Sequence, residues 1–153
     1  PIAYWSTVKE VSGRYRVDPF IILSVMREES RFDPDARSVA GALGLMQIMP
    51  QTAHNLDKKL KMAISDNSGI YDVTINITIG AYYLSSLLKE FGSLPVALAA
   101  YNAGEHKVRE WLKEGKYASY DEFIEDIPYD ETRKYVKRVL LTYAAYLDIA
   151  ARQ

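Results

Sequence analysis

Two adjacent carboxylates, Glu28 and Glu29, stand near the end of an apolar stretch that opens at Asp18-Pro19. That opening is an N-cap followed by proline at the first helical position. At about 100° per residue, Ile21, Ile22, Leu23, Val25 and Met26 share one broad face, with Glu29 near its middle and Glu28 towards its edge. A carboxyl on an apolar face loses water. Desolvation raises its pKa, keeps it protonated near neutral pH and suits it to general acid work. Glu29 is therefore the candidate acid, although a glutamate in a last helical turn can also reach solvent past the cluster. Asp33 and Asp35 are the nearest candidates for a second catalytic carboxylate, but their Asp-Pro setting is typical of turns. His54 and His106 are isolated from one another in sequence, and no metal site is expected of them.

These groups need a scaffold. The 153 residues, 48% hydrophobic and 25% charged, suit one ordinary globular domain over 1–153 with a sizeable core. A net charge of -1 provides no broad basic field for nucleic acid. Without cysteine there are no disulfides or thiolate metal sites, and the redox compartment stays undecided. No apolar run approaches the roughly 20 residues of a membrane span. With Pro1 in place of an initiator methionine, the chain reads as a mature product or part of a larger protein. Twelve tyrosines and two tryptophans suit either helix packing or a sugar-binding cleft.

The punctuation is that of helices. Ile2 to about Arg16 reads helical, and Asp18 opens a helix to about Arg31. Gly92 ends one helix, and Ser93 caps the next from Leu94. Ser119-Tyr120-Asp121-Glu122 is a capping-box pattern, and Asp130 is placed to cap a long helix to about Ala151. Val73–Ile79 alternates apolar and polar residues and is rich in β-branched types, like a strand. No second strand is available to pair with it, and it runs straight into Ala81-Tyr82-Tyr83-Leu84, so a helix is expected. Residues 33–49, rich in Gly, Pro, Ser and Asp, read as a loop with short extended pieces. The expectation is a mostly-α domain of about seven to nine helices with little or no β structure.

The loop carries a signature. Glu29-Ser30 is followed by Phe32-Asp33-Pro34, Ser38, Gly41-Ala42, Gly44-Leu45-Met46-Gln47 and Met49-Pro50-Gln51-Thr52-Ala53. Asn76-Ile77, Gly80, Tyr83-Leu84, Ala100-Tyr101-Asn102-Ala103-Gly104, Ile127-Pro128, Glu131-Thr132-Arg133 and Tyr135-Val136 follow in order. This series resembles the soluble, Slt-like lytic transglycosylases, which share a lysozyme-like helical fold with a substrate cleft. It covers nearly the whole chain from about residue 15, with no departure at any motif position.

The resemblance implies a catalytic role for Glu29. As acid it would protonate the glycosidic oxygen between N-acetylmuramic acid and N-acetylglucosamine. As base it would then serve the muramoyl 6-hydroxyl, giving a 1,6-anhydromuramoyl end without water. Ordinary glycosidases pair two carboxylates, whereas the family implies one, with the substrate's acetamido group assisting. Ser38 and Gln47 are expected to line the cleft, Met46 and Met49 to floor it or to pack in the core. Tyr101 would aim its hydroxyl at the acetamido group or C1, and Asn102 would fix the backbone around it. Glu131 and Tyr135, one turn apart, would meet the cleft together, Tyr135 within reach of Glu29. Arg133 reads as a structural ion-pair partner, and Gly41 and Gly44 as backbone turns. The implied partner is the peptidoglycan glycan strand, with no cofactor or metal and no nucleic acid. A monomer in the periplasm or cell envelope, alone or within a larger protein, fits that substrate. A goose-type lysozyme that uses water and a non-catalytic wall-binding module are the alternatives.

Overall fold

The structure, a computed structural model, describes residues 2–153. Among them are eight α-helices, one 3-10 turn and no strand, so the mostly-α expectation holds. The helices are α1 (Trp5–Tyr15), α2 (Pro19–Ser30), α3 (Pro50–Leu60), α4 (Val73–Phe91), α5 (Leu94–Ala103), α6 (Glu105–Glu114), α7 (Tyr120–Asp126) and α8 (Asp130–Ala151). The 3-10 turn, Asn67–Tyr71, lies between α3 and α4. The chain divides into two compact units, residues up to Tyr83 and Leu84–Gln153, with the boundary inside α4. No helix among the described residues is long and apolar enough to cross a membrane.

In the first unit α1 packs on α2, and Trp5 stacks on Phe20 with ring centroids 5.9 Å apart. The Asp18 carboxylate accepts the Phe20 N–H at 2.8 Å, which sets the start of α2. Positions 21–26 are all buried, so α2 is enclosed on every side along its middle. The polar member of that run, Ser24, satisfies itself by donating to the Phe20 carbonyl. The strand-like stretch 73–79 is helical, as expected. Asn76 to Ala81 are consecutively buried, so a run of apolar and β-branched residues here reflects a helix covered all round rather than a two-faced strand. Asp72 caps it by accepting the Ile75 N–H at 2.9 Å. Helix α1 begins at Trp5, later than Ile2, because Tyr4 takes a left-handed φ of 58° ahead of it.

In the second unit α5 is central and packs against α6, α7 and α8. Val96 to Ala100 are all buried, and three of the five are alanine, so neighbouring backbones approach closely. Gly92, at φ 66°, ends α4, and Ser93 caps α5 through the Val96 N–H, both as the sequence indicates. Two caps differ from expectation. Tyr129, not Asp130, is the N-cap of α8. Asp130 lies inside the first turn, where the helix dipole favours an anion, and pairs with Arg133 and Lys134. Ser119 does cap α7 through the Glu122 N–H, but the Glu122 carboxylate reaches one residue further back, to the Ala118 N–H at 2.8 Å.

Candidate active site

Glu29 occupies the last turn of α2, which ends at Ser30. Arg31 then takes a left-handed φ of 52°, and its N–H returns to the Arg27 carbonyl at 2.9 Å. Glu28 and Glu29 are both half-buried. Helical phase therefore assigns the two carboxylates different directions, but their burial does not separate them. The helix stops too soon after Glu29 to cover it with another turn.

The loop after α2 is irregular and densely bonded. Backbone bonds lead from Asp33 to Ser30, Ala36 to Asp33 and Gly44 to Ala36 at 3.0, 3.3 and 2.8 Å. Isolated antiparallel bridges join Arg37 to Leu43 and Leu43 to Ile48, which are the short extended pieces the sequence suggests. Asp33 accepts the Asp35 N–H at 2.9 Å and behaves as a turn residue. Ser38 and Ala42 bond in both directions. The Ser38 N–H donates to the Ala42 carbonyl, and the Ser38 hydroxyl oxygen accepts the Ala42 N–H at 2.9 Å. Gly41 closes that turn at φ 94°. As an acceptor here, the Ser38 hydroxyl keeps its own hydrogen to donate.

Gln47 has a left-handed φ of 51°, which sequence reasoning does not reveal. Its amide nitrogen donates to the carbonyls of Ala36 at 3.1 Å and Gly44 at 2.9 Å. Both partners are acceptors, which fixes the amide's orientation. The donor end thus holds the loop, and the carbonyl end is what Gln47 can offer a ligand.

Asn76, a motif position to which the sequence attaches no role, organises the floor of this loop. It is fully buried. Its Oδ1 accepts the Met46 N–H at 2.7 Å, while its Nδ2 donates to the Leu43 and Ile70 carbonyls, each at 2.9 Å. One amide thereby ties α4 to the loop and to the 3-10 turn. Gly44, at φ 77°, has no room for a Cβ, which would meet the Asn76 amide. A Cβ on Gly80 would collide with the Met46 side chain in the same way. Met46 is fully buried and belongs to the core, whereas Met49 is 42% exposed.

The second unit holds the remaining candidates. Tyr101 and Asn102, in the last turn of α5, are half-buried. The Asn102 Oδ1 accepts the hydroxyl of Thr132, itself 2% exposed, at 2.8 Å and so links α5 to α8. Thr132 lies inside the Glu131-Thr132-Arg133 motif, and its place three and four residues before Tyr135 and Val136, in phase with the apolar face of α8, is the sequence signal for its burial. Glu131 is exposed, and Tyr135, one turn further along α8, is buried. Arg133 is structural, as expected. It donates to the Ile127 carbonyl at 3.0 Å and pairs with Asp130. His54 lies 3.0 Å from the Asn67 side-chain oxygen, and His106 lies beside Arg109.

Residues 6–124 match the family described as Transglycosylase SLT domain. The chain is 38% identical over 151 residues to the soluble lytic murein transglycosylase of Escherichia coli K12, covering 95% of this chain and 23% of that protein. It is 34% identical over 116 residues to a transglycosylase of Enterobacteria phage PRD1, covering 76% of this chain and 40% of that one. Among solved structures, an inactive Glu-to-Gln mutant of lytic transglycosylase Slt from Pseudomonas aeruginosa superposes with a TM-score of 0.88 at 38% identity, covering 97% of this chain and 25% of that one. The 70 kDa soluble lytic transglycosylase of Escherichia coli gives 0.88 at 36% identity, covering 98% and 25%. The chain thus spans about a quarter of the length of these bacterial relatives, and its fold is their lysozyme-like helical one. With a family match over residues 6–124, most of its length, the chain belongs to the Transglycosylase SLT domain family.

Proposed function

We propose that the chain cleaves the β-1,4 bond between N-acetylmuramic acid and N-acetylglucosamine in peptidoglycan, leaving 1,6-anhydromuramoyl ends. The observation that carries this reading is the family match together with Glu29 at the end of a capped helix, followed by a hydrogen-bonded loop bearing Ser38 and Gln47. Glu29 acts first as acid on the glycosidic oxygen and then as base on the muramoyl 6-hydroxyl. Attack within one sugar avoids the entropy of recruiting a second reactant, provided the sugar is held in a reactive shape. The Ser38 hydroxyl donates to the glycan, and the Gln47 carbonyl accepts from an acetamido N–H or hydroxyl. Tyr101 aims its hydroxyl at the reacting sugar, Tyr135 helps to position it, and Met49 and Glu131 contact the strand further out. Met46 and Asn102 act indirectly, through the loop floor and the α5–α8 link. Since peptidoglycan lies outside the cytoplasmic membrane, the chain works in the cell envelope.

Mass spectrometry of digested peptidoglycan tests this. New ends lighter than hydrolytic ones by one water are expected, and Glu29→Gln should abolish them while the protein stays folded. Reducing ends would mean a hydrolase of the goose-lysozyme kind. Undiminished cleavage by Glu29→Gln would remove Glu29 from the mechanism.

A further inference from the structure

The second unit contains a pocket of about 540 Å³ apart from all the residues discussed as catalytic or glycan-binding. This is a usual size for a small-ligand site, about 300–1,000 Å³. Its walls are Val96 of α5, Leu112 of α6, Phe123 of α7 and the rings of Tyr117 and Tyr120. Tyr117 is held firmly. It folds over Gly115, where a Cβ would strike its ring. It meets Phe123 edge-to-face at 5.3 Å, and its hydroxyl donates to the Trp111 carbonyl at 3.4 Å. Leu112 and Tyr120 nonetheless remain 37% and 56% exposed at the surface.

The charge around the pocket is negative. The Glu122 carboxylate rests on the N–H of Ala118, a lining residue. Burial, with Asp126, Glu114 and Glu122 nearby, holds the Tyr117 phenol above its ordinary range. Glu125 is engaged by Lys137 at 2.7 Å. Lys113 and Lys116 are exposed on the same segment and face solvent beside these carboxylates. The Tyr117 hydroxyl spends its hydrogen on the Trp111 carbonyl, and the Ser119 hydroxyl oxygen accepts the Glu122 N–H.

We propose that this pocket binds an aliphatic primary ammonium of amino-acid size, the side chain of a lysine or another diamino acid within a peptide. Its methylene stem packs against Val96, Leu112 and Phe123, and its charge sits by the tyrosine rings and Glu122. Apolar walls reward the stem, aromatic faces attract the cation, and the carboxylates neutralise it. The stem peptides of peptidoglycan carry diamino acids, which would make this a peptide subsite for the proposed substrate. The binding itself does not rest on that reading, and its test uses no glycan.

The test is an amide-resolved NMR titration of the whole chain with Nα-acetyl-lysine methylamide. Nα-acetyl-norleucine methylamide serves as the uncharged counterpart and N-acetylglucosamine as the sugar. The lysine probe should shift Ala118, Ser119 and Tyr120 saturably, with the norleucine probe weaker by about fivefold, as one cation–aromatic contact implies. Glu122→Gln keeps an oxygen for the Ala118 N–H while removing the charge, and Tyr120→Leu removes an exposed ring. Each should weaken the lysine probe by a similar factor. Equal binding of the two amino-acid probes, tighter binding of the sugar, no saturable shift, or indifference to both substitutions would overturn the proposal.

Discussion

Replacing Asn76 by alanine should destabilise the chain by about 3–5 kcal/mol. The Asn76 side chain meets three backbone groups, the Met46 N–H and the carbonyls of Leu43 and Ile70. The Leu43 carbonyl retains the Ile48 N–H at 2.9 Å. The Met46 N–H and the Ile70 carbonyl lose their side-chain partner in a buried setting, at about 1–3 kcal/mol each. The void left by a fully buried amide adds about 1 kcal/mol, and the better helix propensity of alanine returns about 0.5 kcal/mol. Urea unfolding followed by far-UV circular dichroism measures the change, with an unaltered slope showing that stability alone has moved. Gly44→Ala provides a stricter check, since its Cβ would meet the Asn76 amide and its φ is 77°. With alanine at 76 the collision disappears and only the backbone term remains, about 1 kcal/mol. The double variant should therefore be more stable than the sum of the single losses by at least about 1 kcal/mol. A loss below about 1 kcal/mol for Asn76→Ala, or strict additivity with Gly44→Ala, would refute the reasoning.

Other consequences follow from single contacts. Gly80→Ala puts a Cβ into the Met46 side chain and should cost about 1–3 kcal/mol despite the helix preference for alanine; thermal melting that shows a gain would contradict the packing. Lys61 is exposed at the end of α3 with φ 53°, so Lys61→Gly should raise the unfolding midpoint, by about 0.5–1 kcal/mol in stability. Glu125 is held below its ordinary carboxylate value of 4.5 chiefly by its bond to Lys137. A depressed folded value stabilises fully above the unfolded one and is lost as pH falls through the folded one. Lys137→Met should therefore lower stability at neutral pH, and the gap from the parent should close as pH drops below about 4.5. A gap unchanged in strong acid would contradict that pairing.

Much of the scaffold is legible from residue types because caps are local chemistry. Asp18-Pro19 and Ser93 act through N–H groups two or three residues away, and sequence spacing shows that distance directly. Tyr129 takes the cap position on α8 because any residue with extended backbone can precede a first turn, and no side-chain bond marks it. The helix over 73–79 is legible only by elimination, because burial all round erases the usual period. Within the site, phase gives Glu29 its direction but not its burial, which depends on where α2 stops. The roles of Asn76 and of the Gln47 amide escape the sequence for a different reason. Asn76 acts across 30 and 33 positions to Met46 and Leu43, and Gln47 acts through a left-handed backbone that its residue type does not announce.

The tie between Asn76 and the loop also bears on motion. A segment without regular secondary structure normally exchanges its amide hydrogens through small, independent openings. Here the Met46 N–H is closed by a side chain anchored in α4, and the Gly44 N–H by a carbonyl of the same loop. The Met46 amide can open only when α4 lets go of the loop, so its protection should match that of the α4 interior. The turn tip at Val39 and Ala40, exposed on all sides, should exchange like free chain. The loop after Glu29 is in this sense a rigid shelf with a soft lip, and adaptation to a bulky, uneven polymer would fall to the lip alone.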